Sequence, residues 1–214
     1  RIIDAMFGAL AQPLPDRVTA DGMGGSTIPT FSGWRDGQAF VFAETAMGTW
    51  GASAHLDGQV GVPHMGANQA NVPIEMIEAS FPLRILQYGI VGDTGGSGRH
   101  RGGDSFIREY QYLGEEDGLL SLRSDKRDFP PHGLYGGGDG RKPTNQLIQN
   151  GTATELPVLV TEPLVLKKGD VFRHISPSGG GFGPASERAA DAVRADLEND
   201  RISLATAKQV YGYS

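Results

Sequence analysis

The segment from Asp93 to Asp104 carries residue types that are well suited to binding an anion. It holds five glycines, with Arg99, His100 and Arg101 near its centre. Glycines let backbone N–H groups approach an anion, and an arginine can bind a carboxylate or phosphate through two parallel hydrogen bonds. A strand-like pattern follows, and the Gly-Lys-Ser/Thr ending of a phosphate loop is missing. Two interpretations stay open, an anion-binding site that includes Asp93 and a purely structural turn.

A second group of charges follows the strand-like run at residues 119–123. Arg123 and Asp125 lie two residues apart and precede a stretch rich in proline and glycine, residues 129–138. The two charges can form an ion pair that shapes a site or a subunit contact. A solvent-exposed strand end followed by a rigid turn is the alternative. We therefore add Arg123 and Asp125 to the candidate site residues.

The histidines do not predict a metal site on this chain. No two of them have the i, i+4 spacing with which one helix binds a metal. His55 and His64 lie near Asp57 in a segment without periodicity, where hydrogen-bonded structural roles are the more common explanation. The Ser-Pro-Ser-Gly run at residues 176–179 lacks the Gly-x-Ser-x-Gly order of a nucleophile turn. We assign no metal ligand and no nucleophile.

Composition limits the classes of partner. The chain has 214 residues, no cysteine, a net charge of −6 and a pI near 5.3. A chain without cysteine has neither disulfides nor thiolate sites and fits a reducing cytoplasm, where we expect the protein. The acidic balance does not favour nucleic acid, and no apolar run approaches the ~20 residues that span a bilayer. The chain does not begin with Met, and we expect a fragment or a split subunit.

The elements that would position these residues predict an α+β fold. Apolar spacing over residues 2–11 indicates a helix that ends before Pro13 and Pro15. Alternating and apolar runs separated by glycine-rich turns predict a β-rich antiparallel sheet or sandwich-like module. Ser186 and Ser203 are suited to cap two terminal helices. The predicted strands are 40–44, 83–91, 106–113, 119–123, 157–160, 164–166 and 171–175, and the predicted units are 1–183 and a helical hairpin at 184–214.

The motifs, taken in order, resemble the B subunits of N-methylhydantoinases and the matching region of oxoprolinases. The resemblance covers nearly the whole chain. Its strongest part is the 93–104 loop with Arg108 and Glu109. The other matching stretches are Arg1-Ile2-Ile3-Asp4 through residue 17, residues 71–75, 78 and 81–84, 123–127, 131–137, 168–170, 179–183 and 211–212.

The resemblance implies a chemistry that the residues alone do not show. Members of the family pair this subunit with an ATP- and Mg-binding A subunit of actin-like fold and open cyclic amides such as hydantoin, N-methylhydantoin, 5-oxoproline or a lactam. Phosphorylation of the amide oxygen turns it into a leaving group before water attacks. The resemblance further implies a hetero-oligomer, and a divalent metal held in the first half of the B subunit, which this chain does not include.

For the candidate residues the resemblance implies supporting roles, such as orienting substrate or stabilising negative charge. On that basis we expect Arg101→Ala to reduce activity strongly while it affects the folding of the protein much less. A subunit of a related ATP-dependent acetone or acetophenone carboxylase is the enzymatic alternative. A non-catalytic assembly module that binds the A subunit is the alternative from another class.

Overall fold

The computed structural model describes residues 2–213, and Arg1 and Ser214 at the ends of the predicted units lie outside the described residues. Two antiparallel sheets, a short two-stranded sheet and four α-helices make up this part of the chain. The helices are α1 (Ile2–Leu10), α2 (Ile74–Ser80), α3 (Ala190–Glu198) and α4 (Leu204–Tyr211). The strands are β1 (Ile28–Arg35), β2 (Gln38–Ala43), β3 (Gly48–Thr49), β4 (Val60–Val62), β5 (Leu83–Val91), β6 (Ser105–Tyr112), β7 (Gly118–Arg123), β8 (Thr144–Gln149), β9 (Thr152–Glu155), β10 (Leu164–Leu166) and β11 (Val171–Ile175).

The two larger sheets enclose one hydrophobic core. The strand order is β10-β7-β1-β2 in one sheet and β5-β6-β11-β8-β9 in the other, with neighbours antiparallel. Phe31 on β1 contacts Tyr110 on β6 and Phe172 on β11, with ring centroids 5.1 and 6.2 Å apart. Leu120 and Leu83 belong to the same buried cluster. The predicted α+β fold with a sandwich-like antiparallel arrangement is therefore confirmed.

The C-terminal helices form a smaller core of their own. Val193 on α3 and Ala207 on α4 are buried against Ile202. Ser203 caps α4 as predicted, because its side chain accepts a hydrogen bond from Thr206 N. The predicted cap at Ser186 is wrong: residues 185–187 form a 3-10 turn and α3 begins at residue 190, without a side-chain cap. The division of the chain at residue 183 stays a prediction.

The abundant glycines form a layer in which three chain segments pack backbone against backbone. These segments are 95–103, 133–140 and 179–183, which we call the glycine layer. A Cβ at Gly102 would lie 1.9 Å from Gly179 O, and one at Gly181 would lie 2.0 Å from Ser97 O. Hydrogen bonds join the segments, for example from Gly138 N to Ser97 O at 2.7 Å. Only glycine permits such close approach, so the composition reflects packing.

Candidate functional site

A cavity of about 490 Å³ lies between α1, the segment 21–25 and the loop that follows β7. The segments that build it are far apart in sequence but include three of the motif stretches, 1–17, 123–127 and 131–137. Its lining residues are Asp4, Ala5, Gly8, Asp21, Ser124, Asp125, Lys126, Arg127, Asp128, Phe129, His132 and Val158. We call it the α1 cavity. It gathers charged side chains of both signs around a partly apolar wall.

A buried carboxylate, Asp21, organises the charges of the α1 cavity. Its side chain is 5% exposed, and Oδ2 accepts a short hydrogen bond from Lys126 Nζ and lies 3.4 Å from His132 Nδ1. The Asp21 backbone is held as well, since its N–H donates to His132 O at 3.1 Å and its carbonyl accepts from Gly180 N at 2.9 Å. Oδ1 of Asp21 is buried and has no hydrogen-bond partner among residues 2–213.

The ionisation of this group follows from its contacts. Burial alone would raise the pKa of Asp21, but hydrogen bonds from His132 and Lys126 outweigh it and the pKa lies below its usual value. The same Asp21 hydrogen bond raises the pKa of His132. Each group therefore favours the charged form of the other, a carboxylate beside a protonated imidazole. His132 is half exposed, so its cationic ring faces the cavity solvent.

Strained backbone and two glycines bring the Asp21 segment against the loop after β7. Lys126 has φ +64°, a left-handed conformation that costs a non-glycine residue free energy and occurs often at functional sites. A Cβ at Gly24 would lie 2.3 Å from Lys126 Cε, and a Cβ at Gly25 would lie 2.0 Å from Asp125 Oδ2. Glycine at both positions is thus a condition for placing Asp125 and Lys126 at the cavity.

The predicted residues separate into two places. Asp125 is buried, 8% exposed, and lines the α1 cavity. Arg123, at the end of β7, is exposed and does not line it. Asp93, Arg99, His100 and Arg101 lie on the glycine layer, where Asp93 and Arg101 border a different cavity of about 490 Å³ beside α4. The structure does not bring the six residues together into one site.

Arg101 is engaged by carboxylates of the protein itself. It is 6% exposed, and its guanidinium donates to Asp104 Oδ2 at 3.1 Å and to Asp196 Oδ1 at 2.9 Å. Asp104 also accepts from Arg201 at 2.6 Å, so α3 and the segment after it are joined to the glycine layer. The expectation that Arg101→Ala spares folding is revised, because this change would leave two buried carboxylates with fewer donors.

Arg188 completes the same network from the C-terminal side. Its guanidinium donates to Asp57 Oδ1 and Oδ2 at 2.8 and 2.7 Å and to Asp196 Oδ2 at 2.6 Å. It also donates to Arg99 O at 3.1 Å. Asp57 also accepts a hydrogen bond from the backbone N–H of Arg101 at 2.9 Å, so its carboxylate is bound to both arginines. We call these six side chains the arginine–aspartate network: Asp57, Arg101, Asp104, Arg188, Asp196 and Arg201.

The remaining residues of the 93–104 loop make weaker or capping contacts. Asp93 Oδ1 accepts from Ser203 N at 2.8 Å at the start of α4, and hydrogen bonds from Thr206 and Ser203 hold its pKa below the usual value against the opposing effect of burial. Arg99 lies 3.5 Å from Glu187 and is partly exposed. His100 Nδ1 lies 3.7 Å from Asp57, and burial lowers its pKa.

The backbone N–H groups of this loop are likewise engaged in hydrogen bonds within the protein. Gly95 N donates to Asp104 Oδ1 at 3.1 Å, and Gly96 N to Gly179 O at 2.9 Å. The N–H groups of Gly102 and Gly103 also donate to backbone carbonyls. These contacts favour the structural-turn interpretation over an anion site built from the loop's N–H groups, while the catalytic assignment of its side chains stays a prediction.

Within residues 2–213, no group of three or more His, Asp or Glu side chains has the arrangement of a metal site. His64 pairs with Asp4, at 3.8 Å, and lies apart from Asp57. His174 is fully buried, its Nδ1 lies 2.8 Å from Asn145 Oδ1, and burial lowers its pKa to about 4. In the same described range, no helix has the length and apolar character that a membrane crossing requires.

Sequence analysis missed Asp21, Lys126 and His132 as a group, and also a buried polar group in the core. Asp21 lies in an Asp-Gly-Met-Gly-Gly run whose paired glycines signalled a close approach of backbone to another segment.

In the core, Glu44 on the segment after β2 pairs with Arg108 at 3.0 Å and accepts a hydrogen bond from the hydroxyl of Tyr110. A lone glutamate after an apolar strand carries no spacing signal that predicts such a partner.

Comparison with known proteins gives consistent matches. The family model for hydantoinase B/oxoprolinase matches residues 1–185. An uncharacterized protein of Methanocaldococcus jannaschii is 34% identical over 99% of this chain and 36% of its own length. A putative D-/L-hydantoinase B subunit of Pseudomonas sp. strain NS671 is 31% identical over 99% of this chain and 35% of its own. The chain thus spans about a third of the length of these relatives.

A solved structure has the same fold. The ATP-dependent caprolactamase from Pseudomonas jessenii superimposes with a TM-score of 0.79, at 24% identity, over 95% of this chain and 37% of the caprolactamase chain. At this identity the likeness establishes the architecture alone.

Proposed function

The chain belongs to the hydantoinase B/oxoprolinase family, and from that premise we propose that it forms part of the B subunit of an ATP-dependent hydrolase of cyclic amides. The substrate class is a five-membered or larger ring amide: hydantoin, N-methylhydantoin, 5-oxoproline or a lactam. The partners are an ATP- and Mg-binding A subunit and the rest of a B subunit, of which this chain spans about a third. We expect the assembly in the cytoplasm.

The α1 cavity is the observation that carries the proposal. At about 490 Å³ it is large enough for a small ring. It brings Asp21 together with Asp125, Lys126 and His132, and these last three lie in the motif stretches 123–127 and 131–137. Clefts of a few hundred Å³ with a partly apolar wall and a few convergent polar groups are the usual form of a small-molecule site.

The charges in the cavity suit the chemistry of an activated amide. Ring opening places negative charge on the amide oxygen, or on the phosphoryl group that the ATP-binding partner would transfer to it. Lys126 and the protonated His132 are the cationic donors that can stabilise that charge. Asp21 holds both cations through Oδ2.

The other candidate residues have indirect roles in this proposal. Asp125 borders the cavity, whereas Arg101 and Asp93 support the glycine layer on which Asp21 and His132 rest. Arg99 and His100 stay candidates for binding an anion, and Arg123 stays a candidate for shaping a site or a subunit contact. We place the divalent metal of the proposed enzyme in the part of the B subunit outside this chain.

The test is turnover of the reconstituted assembly with His132→Gln and Lys126→Gln. Hydantoin or 5-oxoproline opening and ADP release would be followed together. Loss of a donor that stabilises developing charge lowers kcat by ~10²–10³, and we expect His132→Gln to fall near the lower end of that range. Lys208→Gln on exposed α4 is the matched control, with unchanged turnover.

The outcomes separate the alternatives. Ring opening within about twofold of the control in both cavity variants would remove the α1 cavity from the reaction. Bicarbonate-dependent consumption of acetone or acetophenone, without ring opening, would identify a carboxylase component. Unchanged turnover in every cavity and glycine-layer variant, with the A subunit still bound, would identify an assembly module.

A further inference from the structure

A separate cavity of about 420 Å³ lies at one edge of the five-stranded sheet. Four adjacent strands end there: Val91 is the last residue of β5, Ser105 the first of β6, Ile175 the last of β11 and Thr144 the first of β8. None of its lining residues borders the α1 cavity. We call it the sheet-edge cavity.

The charges at the sheet-edge cavity are all positive. Arg141 and Lys142 line it, and among residues 2–213 no carboxylate does so. Both are exposed residues. Arg141 also borders the cavity beside α4, where its charge helps to lower the pKa of Asp93. The Arg141 backbone is fixed, because its N–H donates to Ser178 Oγ at 2.6 Å and its carbonyl accepts from Ser178 N at 3.1 Å.

Ser105 supplies an independent observation. This residue is 1% exposed, and its Oγ has no hydrogen-bond partner within the part of the chain that the structure describes. Buried hydroxyls are nearly always hydrogen-bonded, so an unpartnered one in a cavity wall indicates a missing partner. The proton of the neighbouring Thr94 hydroxyl is already engaged, because it is donated to Val91 O at 2.5 Å, and the same oxygen accepts from Ser105 N at 2.7 Å.

We propose that the sheet-edge cavity binds a phosphate group through Arg141, Lys142 and the hydroxyl of Ser105. A guanidinium and an ammonium select an anion, and a tetrahedral phosphate offers at least three acceptor oxygens for the three donors. A carboxylate offers only two oxygens, both in one plane, for the three donors. The phosphate is either the free ion or the phosphate of a small monoester. This site does not depend on the cyclic-amide reaction.

The test is a titration of the ¹⁵N-labelled protein with inorganic phosphate at constant ionic strength, followed by NMR. We expect saturable shifts of the Ser105, Thr144 and Ile175 amides with a Kd on the order of 1 mM. The same titration with phenyl phosphate distinguishes a monoester from the free ion. Acetate is the competing anion, and binding of acetate as tight as that of phosphate would overturn the proposal.

Charge-matched variants complete the test. Arg141→Gln with Lys142→Gln should weaken phosphate binding by about tenfold or more, because each charge-assisted hydrogen bond is lost. Arg84→Gln with Lys208→Gln removes the same charge elsewhere and should leave the Kd unchanged. Ser105→Ala removes a hydroxyl without a partner, so the fold should persist while binding weakens. Equal weakening in both double variants, or no saturable shifts up to about 50 mM phosphate, would overturn the proposal.

Discussion

We expect that replacement of Arg188 by methionine destabilises the protein strongly, because Arg188 belongs to the arginine–aspartate network. Its side chain is 2% exposed, and it donates to Asp57 and Asp196, of which Asp196 is 8% exposed. Removal of one partner from a buried ion pair costs about 3–5 kcal/mol, since the remaining charge stays buried. Asp57 is partly exposed and Asp196 keeps Arg101, so we expect about 3 kcal/mol, the lower end of that range.

The measurement is urea unfolding followed by circular dichroism, since urea does not screen ion pairs as guanidinium does. For a chain of this length, that loss corresponds to a fall in Tm of roughly 6–12 °C. Arg194→Met is the control, because Arg194 pairs with Asp191 at 3.4 Å with both side chains largely exposed, and it should change little. A difference of less than about 1 kcal/mol between the two variants would refute the stabilising role of the arginine–aspartate network.

Three further predictions concern packing and protonation. Gly102→Ala should destabilise by about 2–3 kcal/mol or prevent folding, since its Cβ would meet a backbone oxygen at 1.9 Å; Gly89→Ala meets no atom within 4 Å and is the control for unfolding measurements. Burial lowers the pKa of His174 from 6.5 to about 4, so the folded protein binds fewer protons than the unfolded chain between these values and loses about 3 kcal/mol of stability as the pH falls through them. A His174 NMR titration midpoint near 6.5 would contradict this burial. Because the pKa of His132 is raised, its pair with ionised Asp21 contributes its full stabilisation of the fold below pH 6.5, and this contribution falls as the pH rises through the raised pKa. In Asp21→Asn the midpoint of the His132 NMR titration should fall. An unchanged midpoint would show that the raised pKa has another cause.

Local sequence patterns were sufficient to predict strands with a clear apolar pattern and a helix with a clear cap. β5, β10 and β11 have the predicted bounds, and α4 begins after its predicted cap. The predicted strand at 157–160 is wrong, because Leu159 forms only an isolated bridge with Arg123. The run is apolar, but it crosses the end of β7 without a neighbouring strand to continue the ladder.

The missed strands had readable turn signals. Asp36 and Gly37 join β1 to β2 with φ +52° and +74°, and Asn150 and Gly151 join β8 to β9 with φ +50° and +77°. Asp-Gly and Asn-Gly pairs with positive φ are typical two-residue hairpin turns. Pro29 at the start of β1 and the polar composition of β8 and β9 concealed these three strands, whereas β2 was predicted at 40–44.

The candidate site could be predicted only in part, because its central contacts join segments that no local spacing relates. Asp125 was identified from its charged neighbourhood, but the cavity that it shares with Asp21 also depends on the close approach of Gly25 to Asp125 and of Gly24 to Lys126. The arginines of the 93–104 loop had the composition of an anion site. Their anions proved to be Asp104 and Asp196, and Asp196 lies 95 residues from Arg101 in the chain.

The glycine layer gives a physical reason why residues on its far side should affect the α1 cavity. Gly179 N donates to Gly103 O at 2.8 Å, and the next residue, Gly180, donates to Asp21 O at 2.9 Å. A Cβ at Gly180 would lie 2.2 Å from His132 O, so the layer touches both members of the Asp21–His132 pair. Arg101 is held beside this layer by Asp104 and Asp196, and we expect it to act as a positioning residue. Its loss should therefore lower stability together with activity. Loss of His132 should lower activity with a smaller loss of stability, since Lys126 still pairs with Asp21.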